Sequence, residues 1–216
     1  MATAVTNRSI RGVSWKAGLV AAGILGTLAL FLLAWAYPTF PGDEGALTRF
    51  QSLRAGWLDD TAVAFAIFGK AQVFLPATVA LAGVLMLARR YVDLAMFVAG
   101  LMVFGVGSGL KELVGRPRPE FLTIGPDASG LSFPSGHALL AVVVGGVLVH
   151  LIGHSVKPLL LRRAIQGGII LAVIVMGASR VYLGAHWPSD VIGSFVFGVM
   201  AMVGVIGFRN TVASSR

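Results

Sequence analysis

Three short polar segments interrupt a chain that is otherwise mostly apolar, and they hold the residues best suited to chemistry. The first is Lys111-Glu112-Leu113-Val114-Gly115-Arg116-Pro117-Arg118-Pro119. The second is Pro134-Ser135-Gly136-His137. The third begins at Ser179-Arg180 and continues to His186 and Asp190. Lys111, Arg118 and Arg180 carry lasting positive charge; arginine clamps phosphate oxygens bidentately and lysine acts as a point charge. His186 and Asp190 are four apart and so share one face of a helix, and Pro188 suits that helix's first turn. Asp190 can accept a hydrogen bond from one ring nitrogen, fix the tautomer, and favour the imidazolium that forms if the other nitrogen attacks. Ser135 and Gly136 stand just before an apolar run, where free backbone N–H groups at a helix start would face an anion. His137 opens that run, either as an acid for a leaving oxygen or as an interfacial imidazole.

Each piece has a plainer reading when taken singly. A His–Asp pair at a helix end can be structural, and ionisable residues at span ends can be interface anchors. That reading suffices for Arg116 alone. The convergence of three bases, two histidines and a carboxylate at adjacent span ends points instead to an anion site. A metal is the rival use of His and Asp, but it would be repelled by the three bases, and no HExxH or paired-Asp cluster is present. Neither a metal nor another cofactor is expected. His150 and His154 fall toward the opposite side and are assigned to interfacial packing. Trp187, Tyr182 and Phe133 read as aromatics of the membrane belt.

The elements that must position these residues are membrane spans, each needing about 20 apolar residues. The first is 17–37, a retained span because its apolar core is long for a signal peptide and Trp35-Ala36-Tyr37 makes a poor cleavage site. In the polar stretch 38–60, Leu47, Phe50, Leu53, Trp57 and Leu58 recur at helical spacing, which predicts an amphipathic interfacial helix over 47–58. Residues 61–69 are apolar but too short to cross and read as a partly embedded helix. The remaining spans are 73–88, 92–114, 137–152, 164–183 and 191–208. Gly105 and Gly109 give the third span a GxxxG spacing, suited either to close helix contact or to nothing specific. The predicted fold class is all-α: a polytopic membrane bundle of six transmembrane helices, one integral-membrane domain over 1–216.

Composition agrees. Charged residues make up 12% of the 216, against about a quarter in globular chains, and mean hydropathy is +0.86. That excludes a disordered chain and disfavours a soluble domain. The net charge of +8 would suggest nucleic acid in a soluble protein; here it reports topology, and no nucleic-acid partner is expected. One side of the bundle holds ten bases and only Asp93 among the acids, a net of +9. The side with the three polar segments holds seven bases and eight acids, a net of −1. The positive-inside rule puts the first side, with both termini, in the cytoplasm of a cell-membrane protein. The site is then extracytoplasmic. Without cysteine, thiolate chemistry and disulfides are excluded.

The three segments in this order resemble the type 2 phosphatidic acid phosphatase family of membrane lipid phosphatases. The family pattern is Lys, six residues, Arg-Pro; then Pro-Ser-Gly-His; then Ser-Arg, five residues, His, three residues, Asp. Every position and spacing is met between Lys111 and Asp190. The resemblance implies that His186 is the nucleophile, forming a phosphohistidine, that Asp190 orients it, and that His137 protonates the leaving group. It implies that Lys111, Arg118, Ser135, Gly136 and Arg180 hold the phosphate, with Ser179 structural. It further implies a lipid phosphate substrate, metal-independent hydrolysis and six spans. Arg116 lies off the pattern, with at most a supporting role. Undecaprenyl diphosphate is the expected substrate, with phosphatidylglycerol phosphate and phosphatidic acid as alternatives. A transporter of phosphate-bearing solutes would place its charges at the bilayer midplane, not at one face. Similar haloperoxidases are soluble, unlike this composition. The sequence leaves the oligomeric state open.

Overall fold

The structure, a computed structural model, describes residues 3–120 and 129–214. Asp127 and Arg216 of the charge count, and part of the polar stretch after the third span, lie outside them. The described residues form eight α-helices and no strand. They are α1 (Thr3–Ala36), α2 (Asp43–Ser52), α3 (Gly56–Phe68), α4 (Ala71–Leu87), α5 (Tyr91–Val114), α6 (Gly136–Ser155), α7 (Leu159–Tyr182) and α8 (Pro188–Ser214). Five of them (α1, α5, α6, α7 and α8) contain stretches long and apolar enough to cross a membrane. The consecutive α3 and α4, bent by 55° at their junction, make a sixth span if taken as one. The chain is a multi-pass membrane protein.

A helix that is apolar all round belongs inside a bundle, and α6 is that helix. It packs against α5, α7 and α8, and buries Ala138, Leu139, Val142, Val143 and Val147 on several faces. Its Val143 and Val147 meet Phe97 of α5 and Met202 of α8 in the main core cluster. By contrast α1 exposes Leu19, Leu25, Leu28 and Leu32. Such a surface is stable only against lipid, where helices satisfy their own backbone hydrogen bonds.

Two expectations change in the structure. The predicted interfacial helix over 47–58 is two helices, broken where Ala55 adopts an extended backbone (φ −151°, ψ 145°). Its apolar stripe therefore divides. Leu47 is buried against Val181, Trp187 and Val191, while Leu53 and Trp57 are exposed. Residues 56–60 belong to α3, the first half of the bent span. The second change concerns Gly105 and Gly109. A methyl group added at either would meet nothing within 4 Å, so this pair makes no close helix contact among the described residues. The close approaches on α5 are at Gly100, beside Val143, and at Gly107, beside Leu139.

Candidate active site

The site lies where α5 ends, α6 begins, α7 ends and α8 begins. Gly115 terminates α5 in the left-handed region (φ 67°), its N–H donating to the Lys111 carbonyl at 2.9 Å. Glycine is the residue that adopts this helix-ending conformation freely. Prolines 117 and 119 disfavour helix in the residues before them, so Arg116 and Arg118 leave the helix in sequence. Returning chain is pinned by the Ser132 N–H, which donates to the Arg116 carbonyl at 2.8 Å. After α7, Ala185 and His186 both donate backbone N–H to the Arg180 carbonyl, at 3.0 and 3.3 Å. That tight turn sets His186 beside the end of α7. Trp187 packs on Ala138 and Val181, holding the start of α6 against it.

His186 and Asp190 are brought together as predicted. His186 Nδ1 lies 3.6 Å from Asp190 Oδ2 and 3.5 Å from Ser132 Oγ. Its other nitrogen, Nε2, is 3.2 Å from Arg118 Nη1. A guanidinium only donates, so Nε2 accepts: its lone pair is free of a proton, and Nδ1 carries the hydrogen toward Asp190. Burial pushes the His186 imidazole far below its ordinary value, to about 3, outweighing the attraction of Asp190; Arg118 and Lys111 push the same way. Neutral imidazole with its Nε2 lone pair toward a cation is the form a nucleophile needs. Arg118 is held by the Gly130 carbonyl at 2.9 Å and the Ala185 carbonyl at 2.5 Å. Burial lowers its pKa, with Asp190 opposing.

Around this centre stand donors. Arg180 is 6% exposed, yet its Nε and Nη1 are buried and find no partner among the described residues. Ser135 Oγ, fully buried, is likewise unpartnered. Buried polar groups in proteins are nearly always paired, so two such residues in one locality point to an acceptor-rich ligand. Ser135 precedes α6, whose first intrahelical bond is from Leu139 N to the Ser135 carbonyl. Helix geometry therefore leaves the Gly136, His137 and Ala138 amides without intrahelical partners. Lys111 Nζ donates to the Leu131 carbonyl at 3.3 Å, beside Ser132. His137 sits farther out: its Nε2 is 3.1 Å from the Ala66 carbonyl of α3. A methyl group on Gly69, at the α3–α4 bend, would fall 1.9 Å from His137 Cδ2, so the bend admits the ring only because residue 69 lacks a side chain.

The sequence reading gave Arg116 at most a supporting role and passed over Ser132, Asp43 and Ser189. Arg116 is buried and donates to Asp190 Oδ1 at 2.6 Å. Ser132 donates to Asp190 Oδ2 in a short bond, joined there by the Trp187 backbone N–H at 2.9 Å. Ser189 Oγ accepts from the same Arg116 nitrogen, Nη1, and Asp43 from the other, Nη2. The doubled Arg-Pro of Arg116–Pro119 was the available signal; nothing local marks Asp43 or Ser132. Ser179 is structural as expected, donating to the Met176 carbonyl at 2.7 Å. Phe133, Tyr182 and Trp187 are not belt aromatics. All three are buried, with the Trp187 indole donating to the Pro117 carbonyl at 3.1 Å and the Tyr182 hydroxyl to Asp59 at 2.5 Å. Their place near span ends gave the expectation, but the polar atoms of Trp187 and Tyr182 serve the scaffold, and Phe133 packs with Ala34 and Val114.

Known proteins resemble this chain in sequence and in fold. The PAP2 superfamily profile matches residues 90–213, which include every polar segment of the site. The chain belongs to the PAP2 superfamily. It is 32% identical over 182 residues to phosphatidylglycerophosphatase B of Bacillus subtilis, spanning 81% of this chain and 86% of that one. Over 136 residues it is 31% identical to an undecaprenyl-diphosphatase of Sulfolobus acidocaldarius, spanning 61% of each. The crystal structure of a transmembrane PAP2-type phosphatidylglycerolphosphate phosphatase from Bacillus subtilis superposes with a TM-score of 0.73. That match has 26% identity and covers 87% of this chain and 96% of the other. Membership makes the chain a membrane lipid phosphatase.

Proposed function

We propose that this PAP2 phosphatase hydrolyses a lipid phosphate in two displacements through a phosphohistidine at His186, on the extracytoplasmic face. In the first step the His186 Nε2 lone pair attacks phosphorus and the bond from phosphorus to the lipid oxygen breaks. His137 gives that oxygen its proton. Ala66 offers only an acceptor to His137 Nε2, so Nε2 keeps its hydrogen; the ring enters this step as imidazolium, passes its second proton from Nδ1, and is left neutral. Lys111, Arg118, Arg180, the Ser135 hydroxyl and the Gly136 amide hold the three equatorial oxygens. Asp190 balances the positive charge that grows on the His186 ring. In the second step water attacks the phosphohistidine phosphorus and gives its proton to His137. The nitrogen–phosphorus bond breaks, releasing orthophosphate. Phosphoryl transfer asks mainly for positioning and charge stabilisation, and a covalent histidine divides one hard displacement into two.

The observation that carries this reading is the pairing of an unprotonated His186 Nε2, engaged among the described residues only by Arg118, with buried, unpartnered donors on Arg180 and Ser135. The charge count of the loops supports the outer face. Among headgroups, phosphatidylglycerol phosphate now comes ahead of undecaprenyl diphosphate, because similarity to phosphatidylglycerophosphatase B extends over more of the chain. Undecaprenyl diphosphate and phosphatidic acid are the comparison substrates.

Phosphate release by the purified protein tests the reading. His186→Ala removes turnover by several orders of magnitude while the protein stays folded, and vanadate inhibits the wild type. EDTA leaves turnover unchanged, since the three cations carry the charge a metal would. Near-normal turnover by His186→Ala, insensitivity to vanadate, or loss of activity in EDTA each removes the mechanism. Assaying the three lipids side by side ranks them.

A further inference from the structure

The Arg116 side chain is 0% exposed, and every one of its guanidinium nitrogens is engaged. Nε donates to the Pro38 carbonyl at 3.1 Å. Nη1 donates to Ser189 Oγ at 2.8 Å and Asp190 Oδ1 at 2.6 Å. Nη2 donates to Asp43 Oδ2 at 2.8 Å. Phe40 lies under the guanidinium, its ring centre 4.5 Å from Cζ. Asp43 is as fully committed. Its Oδ1 accepts the Ser189 N–H at 3.0 Å, and its Oδ2 accepts the Ser189 hydroxyl at 2.6 Å and the Phe40 N–H at 3.0 Å.

A carboxylate held on one oxygen only can rotate. Asp190 is held on both, with Arg116 on Oδ1 and the Ser132 and Trp187 donors on Oδ2, the oxygen that faces His186. We infer that Arg116, braced by Asp43 and Ser189, is a positioning residue that fixes the plane of the Asp190 carboxylate so that Oδ2 is presented to His186. Lysine, a point charge without the planar fork, does not reproduce four directed contacts. Small misplacements of a catalytic group are costly: about 1 Å costs roughly a hundredfold. Arg116 has no contact with the donors Arg180 and Ser135, so its effect falls on the chemical step and spares phosphate binding. The inference rests on His186 acting as the nucleophile.

The experiment measures kcat, KM, the inhibition constant of orthophosphate and the melting temperature in detergent for wild type, His186→Ala, Arg116→Lys and Asp43→Asn. Expected for Arg116→Lys is a fall in kcat of about a hundredfold or more, with KM and the orthophosphate constant within about threefold. Asp43→Asn, which keeps an acceptor for Arg116 but loses a charge, shows the same pattern at about tenfold. Folded Arg116→Lys with kcat within threefold of wild type overturns the inference. So does a parallel loss of kcat and orthophosphate affinity, the mark of a general collapse. If Arg116→Lys does not fold, Asp43→Asn decides: lowered kcat with unchanged orthophosphate affinity supports the role, and unchanged kcat ends it. Turnover retained in His186→Ala would instead remove the nucleophile, a failure separate from that of Arg116.

Discussion

The two ends of the helix bundle each bury an aspartate among arginines, and they do so with opposite bookkeeping. At one end Asp93 accepts from Arg90 Nε at 2.7 Å and from Arg209 Nε and Nη2 at 3.0 and 2.8 Å. There two guanidiniums serve one carboxylate, and Arg90 reaches on to Ser155. At the other end one guanidinium, Arg116, serves two carboxylates, Asp43 and Asp190. Arg180, although buried there, keeps two nitrogens without partners. This ion-pair cluster ties α5 to α8 and engages both oxygens of its carboxylate with guanidinium donors. At the second end, positive charge is withheld from the neighbouring carboxylates. Isolating buried charge is expensive, so the arrangement makes physical sense where an anion completes it.

The largest test of this contrast changes the two aspartates in the same way. Asp190→Asn lowers kcat by about 10⁴-fold, as expected when the group fixing a catalytic imidazole's tautomer is neutralised. Asp93→Asn leaves kcat within about twofold and lowers stability by about 1 kcal/mol, a drop of roughly 2–4 °C in melting temperature. Equal kinetic effects from the two would erase the distinction. Next in size is Arg180→Gln. Removing a donor aimed at developing charge costs about 10²–10³ in kcat, and the orthophosphate inhibition constant rises with it. Unaltered phosphate affinity would mean that the unpaired nitrogens face something else. The smallest effect is on stability against pH. His186 is neutral when folded, with its pKa lowered to about 3 from an ordinary 6.5. Between those values the unfolded chain binds a proton that the folded chain does not. Stability therefore falls as pH drops through this window, by up to about 1.4 kcal/mol per pH unit from this group. His186→Asn removes that contribution, so its melting temperature declines less between pH 6.5 and 5. Parallel declines would show that His186 is not buried neutral.

Much of this was readable in the sequence. Apolar runs located the spans, because a bilayer demands length and hydropathy that few other settings do. The site segments were visible because polar residues at span ends are rare; the four-residue spacing also paired His186 with Asp190, although His186 lies in the turn before α8 and not on the helix. What escaped was partnership. Asp43 looked like one charge on the polar side of an amphipathic run, and its partners lie 73 and 146 residues away. Periodicity assigns a residue to a face of its own helix and is silent on what packs there. The break at Ala55 escaped for a related reason, since Leu47, Phe50, Leu53 and Trp57 keep helical spacing straight through it. Burial of Trp187 followed from its contact with the α5–α6 connection, which no local pattern encodes.

The clasp between Asp43 and Ser189 also orders events during synthesis. Chains emerge amino terminus first, and Asp43 leaves the ribosome well before its partners. Its guanidinium partner arrives 73 residues later and the Ser189 amide and hydroxyl 146 residues later. Until then α2 lacks the Ser189 half of its anchorage, and Asp190 does not yet exist. The nascent protein therefore passes most of its elongation without the proposed catalytic centre, and a single late event, arrival of the last helix, both completes that site and finishes anchoring α2.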